Sequence, residues 1–285
     1  MAPQLNRARE FPYTRRDFDA LKTLIKQHTG IHLEAGKHEL VYGRLARRVR
    51  ALSMDSFAQY VSLLEGGHDE ELLTCINAIT TNITSFYRHP KQFEHLQSTL
   101  IPARLASGAR RLRFWSAGCS TGEEPYTMAM TIRGALEKAQ RASVDARILA
   151  TDLDTNVLEQ AARGIYPTES IDQIGAERTR RWWLRGRGSA SGSMKIKPEL
   201  RHMITFNHLN LMGTWPMHGP FDAIFCRNVV IYFDAPTKAA LFDRFIDLLA
   251  PGGALYLGSS ESLQQSQGLM KSASQGIYVK ETNDG

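Results

Sequence analysis

The feature that most constrains the fold of this chain is an alternation of short apolar runs with helical patterns that starts near residue 111. Strand-like runs occur at 112–117, 146–151, 221–226 and 254–258, and helical patterns at 123–136, 157–163 and 237–249 separate them. Strands that alternate with helices are typical of a parallel, doubly wound α/β sheet. We therefore predict a Rossmann-like α/β domain over residues 111–285.

A different pattern precedes this domain. Apolar residues recur at helical spacing in 17–28, 37–52, 57–64 and 70–79, and helices this short pack into a small bundle. We therefore predict an all-α N-terminal domain over residues 1–88. The amphipathic stretch 92–109 predicts a helix in a linker at 89–110.

One part of the α/β region interrupts the alternation. The run RGRGSASGS at 185–193 predicts a flexible loop because it is rich in glycine and serine. Strand-like runs at 194–197 and 202–207 flank a turn that contains a proline and predict a short antiparallel pair. We interpret residues 167–207 as an insertion that carries a small antiparallel β unit.

The positive charge of the chain is concentrated at its start. The net charge is +6, and residues 1–50 contain eleven Lys or Arg against five acidic residues, so this segment holds the whole excess. A basic segment indicates an acidic partner, which is a nucleic acid, an anionic lipid or an acidic protein surface. On the predicted helix 37–52, Arg44, Arg47 and Arg50 project from the face opposite the apolar one.

The composition also bears on where the protein works. No apolar run approaches the roughly 18 residues that indicate a membrane span, and residues 1–11 lack an apolar signal core. Cys75, Cys119 and Cys226 lie far apart and in no metal-ligand spacing. We therefore predict a cytoplasmic protein with reduced thiols, no bound metal and no membrane insertion.

The strongest local signal is the run FWSAGCSTGEEPYTMAM at 114–130, in which a strand leads through a glycine loop into a helix. Gly118 and Gly122 allow the backbone to approach a ligand closely. Glu123 and Glu124 lie in the first turn of the helix, where acids stabilise the helix dipole. They would also repel a pyrophosphate and attract an ammonium group, and the loop lacks the full G-x-G-x-x-G spacing.

An acid at the tip of the second strand completes this picture. Asp152 ends the strand in the run ILATDLD, a place where an acid commonly holds ribose hydroxyls. The alternative role is the N-cap of the next helix, which Asp154 or Thr155 can also supply. A ligand with a ribose and an ammonium group but no phosphate is S-adenosyl-L-methionine. We predict it as the cofactor, with S-adenosyl-L-homocysteine as the product.

The end of the fourth strand bears on the methyl acceptor. Amine-methylating enzymes of this fold usually carry Asn/Asp-Pro-Pro-Tyr there, whereas here VVIYF follows Asn228. The missing prolines disfavour a base or amine substrate. A glutamate carboxylate is already ionised at neutral pH, so it needs alignment with the methyl group but no general base. Arginines can hold such a carboxylate through charge-assisted hydrogen bonds.

Five segments resemble the chemotaxis receptor glutamate methyltransferases in order and spacing. They are TTNITSFYR at 80–88, WSAGCSTGEEPY at 115–126, TDLD at 151–154, FDAIFCRNVVIYF at 221–233 and GSSESL at 258–263. The resemblance extends from about Phe11 to Tyr278. It implies a helical N-terminal domain, followed by a class I methyltransferase domain that uses S-adenosylmethionine to esterify receptor glutamates during sensory adaptation.

The resemblance also implies roles for individual residues. Arg88 and Tyr232 lie nearest the transferred methyl group, although an aromatic residue after a strand is often part of the core. The residues that surround the cofactor are Asn82, Thr84, Arg88, Glu123, Glu124, Asp152, Asn210, Leu211, Arg227 and Asn228. Asp152 faces the ribose, and the choice between Glu123 and Glu124 for the methionine amino group stays open.

The implied partner is the cytoplasmic domain of methyl-accepting chemotaxis receptors, which recruits the enzyme to membrane receptor arrays. Arg44, Arg47 and Arg50 would complement its glutamate-rich helices, and a solvated arginine face is the alternative. The insertion resembles a subdomain that binds a receptor C-terminal peptide by strand addition in some members of the family. Nucleic acid is not predicted as a partner.

Two other functions remain as alternatives. The first is a methyltransferase that acts on nucleic acid or a small molecule, with the arginines serving phosphates. The missing prolines and the lack of aromatic residues among the arginines count against it. The second is a non-catalytic sensor of S-adenosylmethionine, which no lost site residue supports.

Overall fold

The computed structural model describes residues 9–263 and 269–282. Arg7, which belongs to the basic N-terminal segment, lies outside these ranges. The chain divides into two compact units, of which one ends at Thr81 and the other begins at Asn82. Residues 82–88 thus belong to the second unit. No helix of the described ranges is long and apolar enough to cross a membrane.

Within its described residues, 9–81, the first unit contains four α-helices, as predicted. They are α1 (Arg15–Thr29), α2 (His38–Ala51), α3 (Phe57–Glu65) and α4 (Asp69–Ile79). Helix α1 begins at a capping box in which the Thr14 hydroxyl accepts from the Asp17 amide, and it ends at Gly30. Apolar faces form the core of this unit, and Phe18, Val41 and Tyr60 are completely buried in it.

The second unit is an α/β structure. Its helices are α5 (Pro90–His95), α6 (Ile101–Ala106), α7 (Glu123–Lys138), α8 (Thr155–Arg163), α9 (Ala176–Trp182), α10 (Pro198–Arg201) and α11 (Ala235–Leu248). Its strands are β1 (Arg111–Ala117), β2 (Asp145–Asp152), β3 (Ile165–Pro167), β4 (Trp183–Arg185), β5 (Ser193–Ile196), β6 (Ile204–His208), β7 (Phe221–Cys226), β8 (Leu249–Leu257), β9 (Met270–Ser274) and β10 (Ile277–Lys280).

Seven of these strands form the main sheet, in the order β6-β2-β1-β7-β8-β10-β9. Strands β6, β2, β1, β7 and β8 are parallel, and the C-terminal hairpin β9–β10 adds two antiparallel strands at the edge. The doubly wound α/β prediction is therefore confirmed. The hairpin was not predicted, because its first strand is exposed and has no apolar run.

The insertion is smaller than predicted. A three-stranded antiparallel sheet in the order β3-β5-β4 confirms the antiparallel unit and the strand near 194–197. The prediction that residues 202–207 form an antiparallel strand of this unit was wrong. Strand β6 is instead parallel to β2 in the main sheet, with Ile148 opposite Ile204. An edge strand has one partner and an exposed face, so its short apolar pattern did not reveal which sheet it joins.

The helix predicted as a linker belongs to the core of the second unit. Helix α5 continues through a π-helical segment at Leu96–Leu100 into α6. Phe93, Leu96 and Ile101 are buried in the same apolar cluster as Phe114 of β1. The amphipathic pattern therefore reflected packing against the α/β unit, and the interpretation as a linker was wrong.

Candidate active site

The loops that follow β1, β2, β6 and β7 all begin at one end of the sheet, the end formed by the carboxyl ends of its parallel strands. We call this end the carboxyl edge. All of these strands are parallel neighbours, so their carboxyl ends meet there, as at the ligand sites of other open α/β sheets. The topology itself therefore brings together the glycine loop, Asp152 and the segments that begin at Leu209 and Arg227.

The glycine loop packs against the loop after β7. Gly118 has a φ of 84°, and a Cβ atom at this position would lie 2.3 Å from the Val229 side chain. Any larger residue would therefore strain the backbone and clash. The amides of Gly118 and Cys119 both donate to the carbonyl oxygen of Thr151, at 2.8 and 2.9 Å, which ties the loop to the end of β2.

Asp152 is buried at the tip of β2, where backbone amides hold its carboxylate. Its Oδ2 accepts from the Ser120 amide at 2.8 Å and its Oδ1 from the Asp154 amide at 2.9 Å. Asp154, and not Asp152, caps helix α8, because its Oδ1 accepts from the Asn156 amide. Burial raises the pKa of Asp152. The structure thus removes the N-cap as an explanation for this acid.

Asn82 lies at the same edge of the sheet. Its side-chain amide donates to Asp154 Oδ2 at 2.8 Å, and its backbone carbonyl oxygen accepts from the Ser120 hydroxyl at 3.1 Å. The segment that begins the second unit is thus attached to the loops after β1 and β2. Thr84, two residues further on, is half-buried, and its role stays a prediction.

The two glutamates of the glycine loop have different surroundings. Glu124 accepts from the Ser116 hydroxyl at 2.7 Å and pairs with Arg227 Nη1 at 3.2 Å. Glu123 accepts from the Thr121 hydroxyl at 2.6 Å, a neutral donor. Burial raises the pKa of both carboxyls, and the guanidinium of Arg227 opposes the rise in Glu124.

Arg227 connects the end of β7 to Arg88. Its side chain is 3% exposed, and it donates through Nη2 to the carbonyl oxygen of Arg88. The guanidinium carbon lies 5.4 Å from the ring centroid of Phe93. Arg88 itself is half-buried and donates to the Ile83 carbonyl oxygen at 3.0 Å. A buried arginine therefore holds the backbone of the arginine that the resemblance places near the methyl group.

Glu261 is a site residue that the sequence reasoning missed. Its Oε2 accepts from the amides of Gly258 and Asn228 at 2.6 and 3.0 Å, and its Oε1 from the amide of Ile231 at 3.3 Å. This buried carboxylate fixes the loop after β7, in which Asn228 has a φ of 58°. The signal was present as an acid in GSSESL, directly after an apolar strand. Tyr232 ends a short turn in this loop and is half-buried, and its role stays a prediction.

Asn210 and Leu211 follow β6 next to Asp152. The amide of Leu209 donates to the Asp152 carbonyl oxygen at 3.0 Å. Asn210 Oδ1 accepts from the Met212 amide at 2.9 Å, which stabilises a turn. Leu211 is buried. The structure thus brings this pair to the β6 side of Asp152, while the glutamates lie on the β1 side.

Arg44, Arg47 and Arg50 have three different environments on α2. Arg44 donates to the carbonyl oxygens of Ile79 and Thr80, the latter at 2.7 Å, and to the Thr81 hydroxyl at 2.9 Å. Arg50 pairs with Glu10. Arg47 is exposed and has no ion-pair partner within residues 9–263 and 269–282. The expected shared arginine face is therefore mostly engaged within its own unit, and the substrate-binding role stays a prediction.

The charges at the carboxyl edge suit a cationic cofactor that contains no phosphate. Burial raises the pKa of the Cys119 thiol, and the charges of Asp152, Glu124 and Glu123 add to the rise. Residues 118–124 contain no Lys or Arg that could bind a phosphate. An ammonium group and ribose hydroxyls are what such carboxylates can bind, whereas a pyrophosphate would be repelled.

Comparison with known proteins agrees with this site. The family described as "CheR methyltransferase, SAM binding domain" matches residues 82–279, and "CheR methyltransferase, all-alpha domain" matches residues 16–80. The chain belongs to the CheR methyltransferase family. Its cofactor is S-adenosylmethionine, as predicted.

Relatives in the family match most of the chain. Chemotaxis protein methyltransferase 2 of Pseudomonas aeruginosa is 42% identical over 272 residues, which cover 94% of this chain and 94% of the relative. The chemotaxis protein methyltransferase of Escherichia coli is 40% identical over 264 residues, with 92% of this chain and 90% of the relative covered. The predicted family and its methyltransferase class are therefore confirmed.

Proposed function

We propose that this chain transfers a methyl group from S-adenosylmethionine to glutamate side chains in the cytoplasmic domains of chemotaxis receptors and so forms glutamyl methyl esters. The observation that carries the proposal is a separation of charge among the loops after the parallel strands: Asp152 at the end of β2 and Glu123 after the glycine loop are buried acids, and Arg227 follows β7. Such a site suits a cationic donor and an anionic acceptor. The names of the relatives support a chemotaxis protein as the substrate.

Different residues of the carboxyl edge bind different parts of the methyl donor. We assign the ribose hydroxyls to Asp152, whose backbone hydrogen bonds fix its carboxylate in one orientation. The glutamates of the glycine loop attract the methionine ammonium group, and Asn210 and Leu211 flank the adenine. Bound S-adenosylmethionine would supply a sulfonium methyl group whose carbon a carboxylate oxygen attacks: the C–O bond forms as the C–S bond breaks, and the electron pair of that bond stays on the sulfur of the departing S-adenosylhomocysteine. No proton moves in this step.

The acceptor needs orientation and charge compensation. A glutamate carboxylate is ionised at neutral pH, so the site requires no general base. We assign the binding of this carboxylate to Arg88, because Arg227 holds its backbone and its side chain is half-buried. Tyr232 is assigned to the same region, on a turn whose backbone Glu261 fixes.

The receptor would contact the enzyme at two further places. We propose that Arg47, which is exposed on α2, meets glutamate-rich receptor helices. We also propose that a receptor C-terminal peptide adds a strand to the small sheet, where β5 is central and β3 and β4 are the edges. On β4, Leu184 and Arg185 are exposed and could contact such a peptide. This attachment would raise the local substrate concentration and recruit the enzyme to receptor arrays.

Transfer of a labelled methyl group from S-adenosylmethionine to receptor-bearing membranes tests the proposal. We expect base-labile label in the receptor, released as methanol, and label that accumulates about 10- to 100-fold more slowly with Arg88→Ala. Base-stable label in added RNA or in a small molecule would instead support the alternative methyltransferase. Binding of S-adenosylhomocysteine without turnover on any receptor would support a sensor and contradict the proposal.

A further inference from the structure

A single arginine on helix α11 organises the segment that follows β6. Arg244 Nη1 donates to the Leu211 carbonyl oxygen at 2.7 Å, and its Nη2 donates to the Gly213 carbonyl oxygen at 2.7 Å. The two bonds use the planar fork of the guanidinium, which a lysine cannot reproduce. One side chain thus fixes two carbonyl groups of a segment that lacks regular secondary structure.

Trp215 of the same segment also contacts Arg244. We call the two side chains, together with the carbonyl groups of Leu211 and Gly213 that they bind, the clamp. The Arg244 guanidinium carbon lies 3.7 Å from the ring centroid of Trp215, and Trp215 Nε1 donates to the same Leu211 carbonyl oxygen at 3.2 Å. The Trp215 ring packs edge-on against Trp115 of β1, with centroids 4.8 Å apart. The clamp is therefore anchored in the core of the sheet.

The clamped segment begins beside the ribose position. Leu209 bonds to the carbonyl oxygen of Asp152, and β6 lies on the side of β2 that faces away from β1. With the ribose on Asp152 and the ammonium group on the β1 side, the adenine must extend toward the β6 side. The conformation of residues 209–215 therefore determines the shape of the surface that the adenine meets.

We infer that Arg244 is a positioning residue for the adenosine half of the cofactor. It touches no reacting atom and acts through the backbone of Leu211. This inference rests on the proposed function, in which Asn210 and Leu211 flank the adenine. It predicts that loss of the clamp weakens adenosine recognition and leaves the methyl-transfer end of the site intact.

Titration calorimetry of the full chain with two probes, S-adenosylhomocysteine and adenosine, tests the inference. In Arg244→Ala, we expect Kd to rise by the same factor for both probes, about tenfold, because two charge-assisted hydrogen bonds are lost. Arg244→Lys should lie between wild type and Arg244→Ala. At saturating S-adenosylmethionine, kcat should stay within about twofold of wild type, while KM for the cofactor rises.

Arg104→Ala is the matched control. Arg104 forms an ion pair with Asp222 at 2.9 Å in the same unit, so its loss should lower Tm without changing either Kd. Unchanged Kd values in Arg244→Ala, or a loss confined to S-adenosylhomocysteine, would overturn the inference. If wild type binds S-adenosylhomocysteine and methylates receptors while Arg244→Ala binds both probes equally well, only this inference fails. Wild-type protein that binds neither probe would overturn the proposed function as well.

Discussion

Arginine has different tasks in the two units of this protein. Arg50 of the helical unit pairs with Glu10, and the two side chains are 55% and 49% exposed. Arg227 of the α/β unit pairs with Glu124, and these side chains are 3% and 11% exposed. Water and salt screen the first pair, so each of its charges is stable alone. In the second pair, removal of either charge would leave the other buried without compensation, which lowers the free energy of unfolding. Both are Arg–Glu pairs, so the comparison shows that access to water, and not residue type, decides how strongly each charge depends on its partner.

Arg44 shows that a surface helix can also contain a structural arginine. It binds the carbonyl oxygens of Ile79 and Thr80 and the hydroxyl of Thr81, where α4 ends. The last carbonyl groups of a helix lack partners within the helix, and a cation stabilises that end of the dipole. We therefore place Arg44 with Arg227, as a side chain that stabilises its own unit, and separate it from Arg47.

The largest effect should come from breaking the buried pair. Glu124→Gln removes the charge that compensates Arg227, and an uncompensated buried charge costs about 3–5 kcal/mol. For a unit of this size, the expected fall in Tm is on the order of 10 °C in calorimetry. Glu10→Gln makes the same chemical change beside the exposed Arg50 and should leave Tm within about 1 °C. Equal shifts in the two variants would contradict the comparison.

Arg88 should affect turnover more than cofactor binding. Arg88→Ala removes the proposed charge-assisted hydrogen bonds to the acceptor carboxylate, so kcat for receptor methylation should fall about 10- to 100-fold. The Kd of S-adenosylhomocysteine should rise less than about threefold. Arg88→Lys keeps the charge but loses the fork, so its kcat should be intermediate. Equal losses in kcat and affinity would reassign Arg88 to cofactor binding.

The buried carboxylates should make cofactor affinity depend on pH. Burial raises the pKa of Glu123 and Asp152, so they take up protons as pH falls from neutrality toward the ordinary carboxyl range. Protonated Glu123 no longer attracts the ammonium group, and protonated Asp152 accepts hydrogen bonds from the ribose hydroxyls less strongly, so affinity should fall by at most about tenfold per pH unit for each carboxylate. Calorimetry between neutral pH and about pH 5 measures this slope. Glu123→Gln should flatten it, and an unchanged slope would exclude Glu123 from the site.

Much of the fold could be predicted because its signals are local. The glycine loop between β1 and α7 and the acid at the tip of β2 are readable from a few adjacent residues, and parallel strands then bring them to one edge. The partner of β6 was not readable, since its exposed edge weakens the pattern and its neighbour β2 is far away in sequence. Local patterns thus predict elements better than pairings.

The site was predicted in part for the same reason. Asn82 and Asp152 were identified from motifs, but their mutual environment through Ser120 and Asp154 required the fold. Glu261 and Arg244 were not predicted, because each forms hydrogen bonds with backbone groups of a distant segment. Such bonds do not require particular residue types at a fixed spacing in the sequence. Helical periodicity predicted Arg44 on the face opposite the apolar one but could not show that this side chain binds the end of α4.

The smallest effect should come from the exposed arginine of α2. Arg47→Glu should raise KM for receptor about two- to fivefold at low salt, because isolated surface charges contribute little individually. At about 0.3 M salt the difference should largely vanish, since the Debye length is then shorter than 10 Å. Steady-state methylation of receptor membranes at both salt concentrations measures this effect, and kcat should not change.

Arg16→Glu provides the control for this prediction. Arg16 is an exposed arginine of α1, so the substitution changes the net charge by the same amount on another helix of the unit. A rise in KM that both variants share would indicate a general charge effect, because long-range steering depends on the whole field. A rise confined to Arg47→Glu would locate the receptor contact on α2. No rise in either variant would make Arg47 a solvated side chain that takes no part in receptor binding.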